Sequence, residues 1–186
     1  MTTAEPTDGD LLERARKGEA DAFGELFERH APSVLRFCFR RTGNAALAED
    51  LTSIVFLEAW RVRERTVFFS GHARPWLLGV ALNVMRSQAR AERRHREALV
   101  RVPVSAEPEP ESDAAIARLD AEREMREVLR AVDKLGKRER EVLELCVWEG
   151  LSKEAAQALG VSPGAVRSRL SRARRRLPLL EGVVTA

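Results

Sequence analysis

Residues 103–113, Pro103-Val104-Ser105-Ala106-Glu107-Pro108-Glu109-Pro110-Glu111-Ser112-Asp113, hold three of the chain's eight prolines and four acids, with no basic residue and little to bury. A stretch of that composition cannot join a packed core, so it is expected to be extended and disordered. It divides the 186 residues into two short halves. Since about 100 to 150 residues make a typical domain, each half has room for one modest core and neither for a large catalytic domain with its own substrate lobe. The predicted organisation is a domain over 10–101, a linker over 102–113 and a second domain over 114–178. All seven Phe lie between Phe23 and Phe69, which gives the first half the larger core.

Every convincing period in the first half is helical. Leu11, Leu12 and Ala15 open a short helix, and Asp21 can cap a second in which Phe23, Leu26 and Phe27 follow the i, i+3, i+4 rule. Pro32 suits the start of a third, with Val34, Phe37 and Cys38 on one face. Gly43-Asn44 is a break, and Asn44 can cap the next helix, whose Ala48, Leu51, Val55 and Ala59 recur at steps of three and four. After an irregular stretch from Thr66 to Arg74, Pro75 fits the first turn of a last helix that runs through Trp76, Val80 and Val84 into an arginine block.

The second half begins with a helix around 114–134 and, after Gly136, another over 137–148. In the segment 150–170, Ser152 is expected to cap a short helix and Gly160 to end it in the left-handed region. Ser162 caps the next helix, with Pro163 at its first position. Ala155 and Ala156 permit close helix approach, and Val161, Val166 and Leu170 close the core beneath. This pattern is a helix-turn-helix. The fold class is therefore all-α, two small helical domains joined by an acidic Pro-rich linker, the second carrying a helix-turn-helix.

Net charge is only +3, but it is unevenly placed. Six arginines fall between Arg86 and Arg101, and six more between Ala165 and Pro178 with no acid among them. Basic blocks on either side of an acidic one point to two polyanion-binding surfaces, with nucleic acid as the polyanion. The longest apolar run, Trp76 to Leu82, is far short of the roughly 18 to 20 residues a bilayer needs. No basic cluster followed by an apolar stretch marks the N-terminus as a secretory signal, so the cytoplasm is the expected location. Cys38 and Cys146 sit in apolar helical patterns, and His30, His72 and His95 show neither metal-ligand spacing nor acidic partners. No metal, cofactor, small-molecule substrate or catalytic constellation is expected, and the protein is not read as an enzyme.

The run of motifs is specific. Asp21-Ala22-Phe23-Gly24-Glu25-Leu26-Phe27, Ala48-Glu49-Asp50-Leu51-Thr52, Phe56-Leu57-Glu58-Ala59-Trp60-Arg61, Trp76-Leu77-Leu78-Gly79-Val80-Ala81-Leu82-Asn83 and Arg138-Glu139-Arg140-Glu141-Val142-Leu143, followed by the helix-turn-helix, resemble the extracytoplasmic-function (ECF) sigma factors of the sigma-70 family. The resemblance spans residues 10–101 and 114–178, linker length included. It implies a dissociable subunit that directs core RNA polymerase to promoter DNA, and an anti-sigma factor as a further partner. The first domain would open the −10 element and the second would read the −35 element as duplex. The linker would thread the polymerase where nascent RNA later runs. A one-component helix-turn-helix regulator would account for the second half but not for the matched first half.

Site residues follow from the chemistry and this resemblance together. On the second helix of the helix-turn-helix, Ala165, Ser168, Ser171 and Arg172 share one side, with Arg167 beside them, as readers of base edges. Arg169, Arg174, Arg175 and Arg176, with Lys153, are placed on phosphates. In the first domain, Asn83 and the loop Phe68 to Arg74 resemble the family's pocket for an unstacked base, with Arg86, Arg90, Arg93, Arg94 and Arg96 as the cationic track. Trp76 belongs either to that pocket or to the core. The polymerase contact falls on the exposed side of the Asn44 helix, at Asp50, Ser53, Ile54 and Leu57. Relatives there usually continue Asp-Leu-x-Gln-Glu. Ser53 and Ile54 depart from that pattern, so Ile54 either packs inside or forms an apolar patch with Leu57.

Overall fold

The computed structural model describes residues 5–66, 68, 71–98 and 113–176, and all regular structure among them is helical. No helix of these residues is long and apolar enough to cross a membrane. Residues 102–112 of the expected linker lie outside the described residues, and Asp113, expected to end it, is the first residue of a helix instead.

Helix α1 (Asp8–Arg16) starts from a capping box. Thr7 Oγ1 accepts from the Asp10 amide while the Asp10 carboxylate accepts from the Thr7 amide, satisfying two otherwise orphaned donors. Helix α2 (Ala20–Thr42) is one continuous element. This corrects the expectation of two helices divided at Pro32. Ala22, Leu26, Val34, Phe37 and Cys38 form a single buried stripe across the proline. Burying that stripe outweighs the one hydrogen bond that Pro32 removes. The Asp21 cap is corrected with it, since the helix begins at Ala20 after Glu19. Gly43 ends α2 in the left-handed region at φ 62°.

Helix α3 (Ala45–Val62) opens as expected, with Asn44 Oδ1 accepting from the Leu47 amide at 2.8 Å, and its Ala48, Leu51, Val55 and Ala59 are buried. Helix α4 (Ala73–Ala98) carries Leu77, Leu78, Ala81 and Leu82 into the same core, with Pro75 in its first turn.

In the second half, α5 (Asp113–Val132) is followed by α6 (Lys137–Leu143), which passes directly into a π-helical turn, Glu144–Trp148, closed by a bond from the Glu149 amide to the Glu144 carbonyl. Helix α7 (Ala155–Leu159) and α8 (Pro163–Arg176) complete the helix-turn-helix. Ser152 does not cap α7, contrary to expectation. The chain turns through residues 152–154, Glu154 precedes the helix, and the Leu151 carbonyl takes the Ala155 amide. The other signals hold: Gly160 has φ 64°, and Ser162 Oγ accepts from the Ala165 amide.

One buried apolar cluster runs through both halves, from Leu11, Leu26, Phe37, Leu51 and Leu77 to Val142, Leu145, Leu151, Ala155 and Val166. A smaller one, Val132, Leu135, Leu143 and Ala173, ties α5 and α6 to α8.

Candidate nucleic-acid interface

Helix α8 is anchored by Val166 and Ala173, with Leu170 partly buried between them. Its opposite side is left to solvent. There Arg167, Ser168, Ser171, Arg172 and Arg175 are exposed, Ala165 and Arg169 are half-buried, and Lys153 is exposed just before α7. Arg174 and Arg176 are exposed as well. The structure thus brings the residues expected to read bases onto one accessible face. Glu139 sits at its edge, 3.5 Å from Arg172 Nε and 3.0 Å from Arg176 Nη1. Both guanidinium ends are largely exposed, whereas the Glu139 side chain that they share is only 12% exposed.

The second cationic surface lies on α4. Arg90, Arg93 and Arg94 are exposed and, with Ala89 and Lys137 from α6, line a cleft of about 500 Å³. The side chain of Arg96 lies outside the described residues. Asn83 is exposed, with its Oδ1 accepting from Arg86 Nη1 at 3.1 Å. Arg86 is committed elsewhere: Nε donates to Glu141 Oε1 at 2.8 Å and Nη2 to Oε2 at 2.6 Å, a two-pronged pair that raises the guanidinium's pKa further. Trp76 is half-buried, its ring 5.3 Å from that of Phe68, and both side chains pack against the core cluster.

The head of α4 is held by a group that sequence reasoning passed over. Asp8, 6% exposed, accepts from the Ala73 amide at 2.8 Å and from Arg29 Nη1 at 2.9 Å, and its Oδ2 lies 2.9 Å from His30 Nε2. Burial pushes the Asp8 carboxyl up, but the Ala73 amide, His30 and Arg29 together outweigh it and hold the pKa below 3.8. His30 therefore does have an acidic partner, contrary to expectation. Its distance of 22 residues from Asp8 left no local pattern to reveal the pair.

On α3, Asp50, Ser53, Ile54 and Leu57 follow one another at i, i+3, i+4 and i+7 on the solvent side. Ile54 is 45% and Leu57 70% exposed, which decides for the surface reading of Ile54. Phe27, which follows the helical spacing of Phe23 and Leu26, is 43% exposed and edges a neighbouring cleft of about 410 Å³ with Phe23 and Trp60.

Both cysteines are buried, and burial pushes the Cys38 thiol up to about 11 and Cys146 upward too. Neither offers a thiolate nucleophile near neutral pH. No group of three or more His, Cys, Asp or Glu among the described residues is arranged to hold a metal.

Sequence reasoning also missed a row of carboxylates at the junction of the halves. Glu141, Glu144 and Glu149 are 3%, 0% and 7% exposed. Besides Arg86 on Glu141, Arg41 binds Glu144, while Arg40 and Arg74 both reach Glu149. Burial pushes the Glu149 carboxyl up against the pull of Arg74 and Arg40.

Two family models match the chain: Sigma-70 region 2 over residues 26–95, and Sigma-70, region 4 over residues 125–177. RNA polymerase sigma factor CarQ of Myxococcus xanthus is 39% identical over 181 residues, covering 92% of this chain and 95% of that protein. ECF RNA polymerase sigma factor BldN of Streptomyces coelicolor is 34% identical over 92% of this chain and 64% of its own length. Among solved structures, CnrH in complex with the cytosolic domain of CnrY superposes with a TM-score of 0.67 at 27% identity, over 93% of this chain and 96% of CnrH.

Proposed function

The chain belongs to the extracytoplasmic-function branch of the sigma-70 family and is an RNA polymerase sigma factor, and on that premise we propose how its surfaces divide the work. Residues 114–178 read the −35 element as duplex through α8, and residues 10–101 open and hold the −10 element along α4. The exposed side of α3 docks on core polymerase. The observation that carries this reading is the accessible face of α8, where small side chains at 165, 168 and 171 lie beside Arg167 and Arg172. Small residues let the backbone approach a groove, and an arginine among them can bridge guanine O6 and N7.

On α4, Asn83 takes the role of reading an unstacked base, and Arg86, Arg90, Arg93 and Arg94 that of following the strand backbone. Asp50, Ser53, Ile54 and Leu57 form the polymerase contact, with the exposed Ile54 and Leu57 as its apolar part. The sigma factor acts in the cytoplasm and is not itself an enzyme; the chemistry belongs to polymerase. An anti-sigma factor is a further partner, by analogy with the complex of CnrH and the cytosolic domain of CnrY.

Run-off transcription on genomic fragments tests the reading. Core polymerase plus this chain should yield discrete start sites, and each component alone should not. Promoter binding by the chain without polymerase, and no new transcripts with it, would favour a one-component regulator instead.

A further inference from the structure

Helix α1 carries none of the contacts proposed for DNA or polymerase, yet both of its ends are tied to the connection between α3 and α4. At its first residue, Asp8 accepts from the amide of Ala73, the first residue of α4, at 2.8 Å. At its last, Arg16 Nε donates to the Arg63 carbonyl at 3.1 Å, and Arg63 Nε donates back to the Ala15 carbonyl at 3.1 Å. Arg63 closes α3. Its Nη1 donates to the Trp60 carbonyl at 2.8 Å, and its guanidinium lies 3.7 Å from the centre of the Trp60 ring. Between the two ties, the buried Leu11 and Ala15 seat α1 on the core.

The ties differ in kind from the packing around them. Leu77, Leu78, Ala81 and Leu82 hold α4 to the core by apolar burial, which is non-directional. A hydrogen bond to one backbone amide is directional and selects one register. The Ala73 amide is an orphaned donor of the α4 start, in a fully buried residue, and Asp8 is what satisfies it; Arg29 and His30 hold Asp8 in place from α2. From Asp8 to Arg16 the helix rises about 12 Å, whereas the residues joining Arg63 to Ala73 could span roughly 30 Å if drawn out. Helix α1 is thus a strut that sets how far the head of α4 stands from the end of α3.

We infer that α1 positions the −10-reading surface: Asp8 and Arg16, neither of them touching DNA, set the heading of α4 and with it the places of Trp76 and Asn83. The inference rests on the proposed reading of the −10 element along α4. Trp76 follows Ala73 by three residues, and its ring lies 5.3 Å from that of Phe68, which belongs to the connection that α1 spans. Asn83 stands about 15 Å beyond Ala73 on the same helix, so a tilt at the head displaces it in proportion.

Holoenzyme carrying full-length variants tests the inference, on a promoter found by run-off transcription and on single-base variants of it. The readout is the preference for the natural base over each substitute, at −10 and at −35. Loss of folded protein lowers transcription from every template by the same factor and leaves these ratios unchanged, so they separate positioning from stability. Asp8→Ala and Arg16→Ala should each lower the −10 preference by about threefold or more and leave the −35 preference as it was; a well-aligned base contact is worth roughly five- to a hundredfold, of which misalignment removes part. Arg16→Lys should restore the preference, because its ammonium can still donate to the Arg63 carbonyl. The Arg16 side chain is 23% exposed and its loss leaves the Asp8 cluster intact, so the Arg16 variants carry the test even if Asp8→Ala does not fold.

Unchanged −10 ratios in Arg16→Ala, equal losses at −10 and −35, or failure of Arg16→Lys to restore the preference overturns the inference. Asn83→Ala separates it from the functional reading. A −10 preference that survives Asn83→Ala but falls in Arg16→Ala keeps α1 as the positioning element and moves the reader to Phe68 and Trp76. A preference lost in Asn83→Ala alone leaves Asn83 as the reader and removes α1.

Discussion

Replacing Ile54 by Glu, and in a second variant both Ile54 and Leu57 by Ser, tests whether the solvent side of α3 is a docking face. Ile54 is 45% and Leu57 70% exposed, so neither change empties the core. Fully burying an aliphatic side chain of this size is worth about 1.5–3 kcal/mol, so covering the exposed fractions gives roughly 0.7–1.4 kcal/mol for Ile54 and roughly 1–2 kcal/mol for Leu57. At about 1.4 kcal/mol per factor of ten, losing both should weaken core-polymerase binding by one to two orders of magnitude. Glu at position 54 also meets Asp50 and Glu58 one turn away on either side, each repulsion costing about 0.2–0.5 kcal/mol. The folded state thus loses about 1 kcal/mol at most, which moves the melting temperature of a chain this long by about 2–4 °C. Fluorescence anisotropy against core polymerase and a thermal melt on the same preparation read both quantities. Unchanged affinity with a normal melt would remove the apolar patch from the interface. A collapse in melting temperature would show that Ile54 is structural, leaving Asp50 and Ser53 to carry the contact.

Two further outcomes are expected. Arg172→Ala should cost about 1–3 kcal/mol at one position of the −35 element, whereas Arg175→Ala should weaken all promoters alike and reduce the salt dependence; transcription from a set of promoter variants separates the two, and equal sequence-independent losses would remove Arg172 as a base reader. Asp8→Asn should destabilise the chain by about 2–3 kcal/mol by weakening charge-assisted bonds to Ala73, Arg29 and His30. Because the folded carboxyl is held below 3.8, its contribution is complete above that pH and is lost as pH falls through the lower folded value. Melts in acid should therefore show a shallower loss of stability in the mutant than in wild type, and parallel curves would refute the role.

The helical framework was legible because it is written locally. Steps of three and four in Leu51, Val55 and Ala59, the Asn44 cap, and the Gly160, Ser162 and Pro163 sequence each act within one or two turns of chain, and each reappears in the structure. Pro32 misled because a breaker's penalty is local while the stripe that overrides it extends along the whole of α2 and is buried by other helices. Ser152 misled for the converse reason: a capping residue is a cap only where the next turn is helical, and residues 152–154 turn before α7 begins. The junction was illegible. In Arg138-Glu139-Arg140-Glu141 the alternating charges look like a solvated face, yet Glu141 pairs with Arg86, 55 residues away, and Arg41 with Glu144 at a separation of 103. No local period can announce a partner at that distance.

The π-helical turn at Glu144–Trp148 acts as a phase shifter in the second half. In a straight α-helix, residues five apart diverge by roughly 140° around the axis. Glu144 and Glu149 stand five apart, but the turn between them closes on the Glu149 amide and brings both carboxylates toward the same arginine-bearing wall. Everything after it inherits the rotation. Losing one residue from this turn would restore ordinary α-helical pitch and swing α7 and α8 by about 100° about the α6 axis, although every motif would still be present. For relatives aligned across this point, a one-residue gap is thus not a neutral loop variation but a change in the bearing of α8.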